Sequence, residues 1–289
     1  MARKANARAY AVDLMRGERT VGQPPPPPDD EAAYGTSIFD PVLCELAYRW
    51  FSPPGGLVLD PFAGGSVRGI VAAWLGRRYV GIDLRPEQAA ANEAQWAAID
   101  TDKEAPRWIV GDAIDLPALI PPGTLADFLF TCPPYGDLER YSDDPRDLST
   151  MEYDDFLVAY RAIIAAAAGL LRADRFACIV VGDLRDKAGF YRNFTGHTVQ
   201  AFEDAGLRLY NEAILVTAAG SLPLRTGKQF DAARKLGKTH QQVYVFCKGS
   251  PQRATKAIGP VEFGDPDEAA GAEGAGADAD PDAAYGTPL

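Results

Sequence analysis

Histidine is nearly missing from this 289-residue chain, which contains only His197 and His240. Cysteine is sparse as well: Cys44, Cys132, Cys178 and Cys247 are scattered with no C-x-x-C pair. Together these shortages argue against a structural zinc site, and no metal is expected. Cys44, Cys178 and Cys247 each lie in an apolar stretch, where a thiol packs as a small hydrophobe. No apolar run reaches the roughly 18 residues needed to cross a bilayer, so no membrane association is expected. The N-terminus is basic but lacks the apolar core of a secretory signal, and a cytoplasmic location is the corresponding expectation. Lysine and arginine vanish altogether from residues 260–289, which carry eight acids. Setting those aside brings the formal charge from −11 to about −3, so the body of the protein is close to neutral and can still carry a basic face.

What is present divides the chain by composition. Residues 1–32 form a basic arm ending in five prolines, Pro24 to Pro28, a run that favours stiff, extended polyproline II. Residues 251–289 are rich in Ala, Gly, Asp and Pro and read as a disordered acidic tail. Between them, over 33–250, short apolar runs alternate with helix-compatible stretches. Leu57–Leu59, Tyr79–Ile82, Trp108–Val110, Ala126–Phe130, Phe176–Val181, Ala213–Thr217 and Gln242–Cys247 read as strands. Such alternation predicts an α/β fold with a mainly parallel sheet covered on both faces. Polar residues recur just after the strands, at the carboxyl edge where ligands bind in sheets of this kind.

Three of these strand ends suit a nucleoside. Asp60-Pro61-Phe62-Ala63-Gly64-Gly65-Ser66 allows close backbone approach, and the following helix start offers N–H groups to an anion. It has neither the G-x-G-x-x-G spacing of a dinucleotide fold nor the G-K-[ST] ending of a P-loop. A single carboxylate, such as the methionine end of S-adenosylmethionine, fits it better than a pyrophosphate. Asp83, at the next strand end, is placed to accept ribose hydroxyls. Asp112, in Gly111-Asp112-Ala113, is placed to accept from an adenine amino group. Each acid taken singly could be a helix cap; their order and repeated placement favour the ligand.

The fourth strand end is Thr131-Cys132-Pro133-Pro134-Tyr135. A proline pair makes a stiff turn without backbone donors and leaves carbonyls free to accept. A tyrosine beside it offers a flat face for a base extruded from its stack. That combination suits an amine held by its N–H groups while its lone pair attacks a methyl group.

With the glycine turn, this loop resembles the amino-methyltransferases of DNA, the N6-adenine and N4-cytosine enzymes, over roughly residues 34–248. The resemblance implies a single Rossmann-like methyltransferase domain: a mostly parallel seven-stranded sheet, helices on both faces and an antiparallel last strand. It implies S-adenosylmethionine as cofactor, held by Asp60, Phe62, Gly64, Gly65, Asp83, Leu84, Asp112 and Ala113, with Ser37 in Tyr34–Pro41 closing over the methionine end. It implies catalysis by Cys132, Pro133, Pro134 and Tyr135 on a flipped base. Cys132 departs from the family, which places Asp, Asn or Ser there. A thiol is a weak acceptor, so the Pro133 carbonyl and Thr131, Asp137 or Glu139 are the other candidate acceptors. Serine is the closest isostere of cysteine, which leans the expectation to cytosine N4 over adenine N6. A carbon-5 nucleophile is disfavoured, because in those enzymes the cysteine follows the proline pair and here it precedes it.

Asp137–Asp144 reads as a mobile lid over the target base, with Asp137 and Glu139 facing substrate. Asp183 in Gly182-Asp183-Leu184 lines the base pocket or caps a turn. Residues 218–240 carry Arg225, Lys228, Arg234, Lys235 and Lys238 against Asp231. That basic insertion is the expected DNA contact, led by Arg225 and Lys228. With no separate recognition domain, a longer target site needs a homodimer. The competing expectations are an RNA amino-methyltransferase and a nucleic-acid-binding homologue without activity.

Overall fold

A computed structural model describes residues 39–134, 141–216 and 222–261, the side chains of 222–225 excepted. Seven strands form one sheet: β1 (Leu57–Asp60), β2 (Arg78–Asp83), β3 (Arg107–Val110), β4 (Ala126–Thr131), β5 (Leu171–Val181), β6 (Arg208–Val216) and β7 (His240–Lys248). Their spatial order is β3-β2-β1-β4-β5-β7-β6. β1 to β5 are mutually parallel, whereas β7 runs antiparallel to both β5 and β6. This is the expected mostly parallel, seven-stranded Rossmann-like methyltransferase sheet with its last strand reversed.

The period-two alternation of the strands divides the core in two. Phe128, Phe130, Phe176, Cys178, Val180, Val243, Val245 and Cys247 point to one face. There they pack on α1 (Pro41–Phe51), α2 (Val67–Trp74), α3 (Pro86–Ala97) and α8 (Pro251–Ile258). Leu129, Ala177, Ile179, Val181, Tyr244 and Phe246 point to the other face. They meet the short α4 (Leu116–Leu119), the long α5 (Tyr153–Leu170) and α6 (Phe194–Asp204). Central strands buried on both sides explain their continuous apolar runs.

One expectation needs correction. The tail does not begin at 251, because Pro251–Ile258 is the helix α8, with Ala254 and Ile258 buried against the sheet. Ser250 caps it, its hydroxyl accepting from the Arg253 N–H, and Asp174 accepts from the Ser250 N–H at 2.7 Å and from the Arg253 guanidinium. One alanine and one isoleucine, a helical turn apart, sufficed to dock a segment whose composition reads as disordered. Within the basic interval, α7 (Leu222–Ala233) occupies the first half.

Chain direction brings all the described strand-end signals to one edge. β1, β2, β3, β4 and β5 end there, and β7 begins there. A cavity of about 180 Å³ lies at the opposite edge, lined by Leu57, Arg78, Arg107 and Ala126 where those strands begin. It is remote from the polar loops and carries none of their chemistry.

Candidate functional site

The glycine turn is built on a buried ion pair. Asp60 is fully buried, and its carboxylate accepts from Arg68 Nε at 2.6 Å, the Tyr79 hydroxyl at 2.8 Å, the Thr131 hydroxyl at 2.6 Å and the Phe62 N–H at 3.1 Å. All of its usual acceptor capacity is therefore taken by protein. Asp60 shapes the loop from behind and does not face the ligand as expected. Thr131 is buried with it, so its hydroxyl is not an acceptor for substrate. Arg68 was not foreseen. It reaches from α2 back under the turn and donates to the carbonyls of Phe62 and Ala63 at 2.7 and 2.9 Å, beneath the ring of Phe39. Burial opposes its charge, but the Asp60 carboxylate, with smaller contributions from Tyr79 and Cys132, raises its pKa. Tyr79 is pushed up by burial and then by Asp60, so it stays a neutral donor. The signal for Arg68 was present: a lone charge in the apolar helix Val67–Trp74, one turn after the glycines.

Other donors finish the turn. The Ala63 N–H reaches the Ile82 carbonyl at 2.9 Å, and the fully buried Asn92 amide holds the Gly64 carbonyl at 2.7 Å. Gly64 has φ +49°, and a side chain added at Gly64 or Gly65 would meet nothing within 4 Å, so both open onto a free space. Ser66 precedes α2 without capping it through its hydroxyl. The first N–H groups of α2 thus lie beside the opening, where a carboxylate is favoured.

Asp83 stands next to this opening. Its carboxylate accepts from the Arg85 N–H at 2.9 Å and from the Gly64 N–H. Burial pushes its pKa up, against the lowering effect of those two donors and the Arg85 guanidinium. Asp112 accepts from the Ile114 N–H at 3.0 Å and so caps the 3-10 turn Ala113–Asp115, with Ala113 buried. The cap uses one carboxylate oxygen, Oδ1. Phe62 is half-buried and stacks on Tyr160, which stacks on Phe156 and then Tyr153. This aromatic ladder joins the cofactor turn to α5.

After β4, Cys132 is half-buried beside the core, Pro133 is buried and Pro134 half-buried. Ser37, Tyr135, Asp137, Glu139 and the Arg225 side chain lie outside the described residues. Lys228 is exposed on α7. The described part of the lid is firmly bonded. Buried Asp147 accepts from the Ser142 hydroxyl at 2.8 Å and the Ser149 N–H at 2.9 Å, while the Tyr141 N–H reaches Ser149. The Tyr141 ring lies 5.7 Å from the Arg85 guanidinium, which brings residues 141–150 toward the cofactor acids. Asp183 accepts from the N–H groups of Leu184 and Phe194, so it caps the start of α6. Among the described residues no group of three His, Cys, Asp or Glu could hold a metal, and no helix is long and apolar enough to cross a membrane.

This sheet order, with its polar loops gathered at one edge, is that of a Rossmann-like methyltransferase fold. The family model described as DNA methylase (N6_N4_Mtase) matches residues 41–94 and supports the DNA amino-methyltransferase family. The matched stretch runs from α1 through the glycine turn and Asp83 and stops before Cys132. No curated protein matches the chain in sequence. Solved structures with a similar fold include TrmN from Thermus thermophilus, at 19% identity and TM-score 0.48, covering 73% of this chain and 49% of that one. The present chain thus spans about half of TrmN. Magnesium protoporphyrin IX methyltransferase (ChlM) from Synechocystis PCC 6803, solved with bound S-adenosylmethionine, shows 10% identity and TM-score 0.46 over 86% of this chain and 95% of its own. An rRNA methylase from Streptococcus thermophilus shows 10% identity and TM-score 0.45 over 74% and 100%. None of these likenesses bears on the substrate.

Proposed function

We propose that the protein transfers a methyl group from S-adenosylmethionine to an exocyclic amine of a DNA base, cytosine N4 or adenine N6. The observation that carries this reading is the shared edge: a glycine turn open at Gly64 and Gly65, the half-buried Asp83, and the Cys132-Pro133-Pro134 turn on the neighbouring strand end. The residues present fit the cofactor. Gly64, Gly65 and the start of α2 would receive its carboxylate, Asp83 its ribose hydroxyls, and Asp112 and Ala113 its adenine. Bound there, it supplies an electrophilic methyl group.

The rest falls to the chain. Asp60 and Arg68 keep the turn in shape by occupying the Phe62 N–H and the Phe62 and Ala63 carbonyls. The proline pair adds no competing donor beside the target amine, so its carbonyls can accept the amine N–H groups. Holding those hydrogens would direct the nitrogen lone pair to the methyl group; the N–C bond would form as the methyl–sulfur bond breaks with its electron pair kept on sulfur, and one amine proton would leave to solvent. Cys132 contributes a thiol beside the amine rather than a strong acceptor. Tyr135 serves as the stacking face for a flipped base.

The test is incubation with methyl-labelled cofactor and duplex DNA, single-stranded DNA or RNA. Label retained on DNA, and lost with Asp83→Ala, supports the reading. Label on RNA alone moves the substrate to RNA, and label on neither overturns the assignment.

A further inference from the structure

The segment between β5 and α6 plays no part in the cofactor site, yet it is built with care. It folds back on itself as a tight hairpin through the bridge Arg185–Tyr191. The Asp186 N–H bonds the Phe190 carbonyl at 2.8 Å, the Gly189 N–H bonds the Asp186 carbonyl at 3.0 Å, and the Arg192 N–H bonds the Leu184 carbonyl at 2.9 Å. The Asp186 carboxylate accepts from the Phe190 N–H, and Arg185 donates to the Gly189 carbonyl at 2.7 Å. Buried Leu184 anchors the base of the hairpin in the core.

At the tip of this rigid hairpin Phe190 is 72% exposed, next to exposed Lys187. The ordered backbone thus holds this ring largely in the open, available to a partner. Beside it, Tyr191 lies under the Arg185 guanidinium at 3.9 Å and near the Lys238 ammonium at 5.8 Å. Lys235 packs over Gly189, where an added side chain would meet its Cε at 2.9 Å. The hairpin therefore collects Arg185, Lys187, Arg192, Lys235 and Lys238 against Asp183 and Asp186, in a chain whose net charge is −11. Because β5 ends and β7 begins at the edge that carries Cys132, this patch borders the substrate side of the site.

We propose that the 184–192 hairpin, clamped by Lys235 and Lys238, grips the DNA strand beside the target base, with Phe190 stacking on a flanking base and Lys187 meeting a phosphate. Charge complementarity selects the phosphodiester backbone, and an exposed ring among cations suits an unstacked base. Pre-ordering of the hairpin limits the entropy lost on binding. The proposal rests on the DNA-methyltransferase reading and adds a contact surface absent from it. It also changes the meaning of the basic interval, whose Lys235 and Lys238 act with the hairpin.

The test uses the full chain and three labelled probes of one sequence: duplex DNA, single-stranded DNA and single-stranded RNA. Phe190→Ala should weaken DNA binding about tenfold. Lys187→Ala should lower the slope of log affinity against log salt by about one. Both should leave cofactor affinity and melting temperature unchanged, since neither side chain is packed in the fold. If the parent methylates DNA while both variants bind DNA as it does, this proposal fails and the function stands. If the effects appear with RNA alone, the DNA contact is overturned. If the parent neither binds nor methylates DNA, both readings fall together.

Discussion

Removing the Asp60 carboxylate tests most severely how the glycine turn is held. In Asp60→Ala, the buried Arg68 guanidinium loses its counter-ion, and the Tyr79 and Thr131 hydroxyls and the Phe62 N–H lose their acceptor. Bonds to a charged group are individually worth about 1.5–3 kcal/mol, but four on one carboxylate do not add. The better guide is the cost of breaking a buried ion pair from one side, about 3–5 kcal/mol. For a domain of this size each kcal/mol shifts the melting temperature by about 2–4 °C. Calorimetry should therefore show a fall of about 6–20 °C. The loss comes from an uncompensated charge, so the double variant Asp60→Ala with Arg68→Met should recover a large part of it. Cofactor affinity should stay low in both, because the Phe62 and Ala63 carbonyls lose Arg68 or its anchor. A melting temperature within 2 °C of the parent for Asp60→Ala, on the order expected of a surface change, would refute the argument. So would a double variant less stable than Asp60→Ala.

Three further outcomes follow from the same geometry. Burial raises the Asp83 carboxyl above its unfolded value, so its ionised form costs stability above the folded pKa, and the cost disappears below the unfolded one. Asp83→Asn should then melt at the same or a higher temperature at neutral pH while losing cofactor affinity at least tenfold; a clear loss of stability with intact binding contradicts the assigned role. Tyr153, pushed up to about 12 by burial and then by Asp183, should stay protonated against His197 at 3.0 Å, and spectrophotometric titration should show no phenolate from it below pH 10. Cys132→Ser should retain methyl transfer to an amine or increase it, whereas loss of essentially all activity would point to a covalent thiol.

The central strands were legible because both their faces are apolar, and their ends because acids and glycines interrupt those runs. The direction of β7 followed only from the family resemblance, and its place between β5 and β6 was not anticipated, since pairing partners leave no periodic trace in one sequence. The roles at Asp60 were misread for a related reason. An acid at a strand end looks the same whether it faces a ligand or is consumed by partners at positions 62, 68, 79 and 131. Arg68 was visible as a charge in an apolar helix, but its target lies eight residues back through a turn whose shape the spacing does not specify. The 251–258 helix escaped notice because docking needed only two apolar residues, Ala254 and Ile258, one helical turn apart. The hairpin at 184–192 escaped because each of its bonds has a backbone group at one end or both, which every sequence supplies.

The most direct measurement is nucleoside mass spectrometry of DNA from cells expressing the protein, beside cells expressing Asp83→Ala. The account predicts N4-methylcytosine or N6-methyladenine with the parent and neither with the variant. Purified protein that binds S-adenosylmethionine, with both amine-methylated nucleosides absent from the DNA, would contradict it.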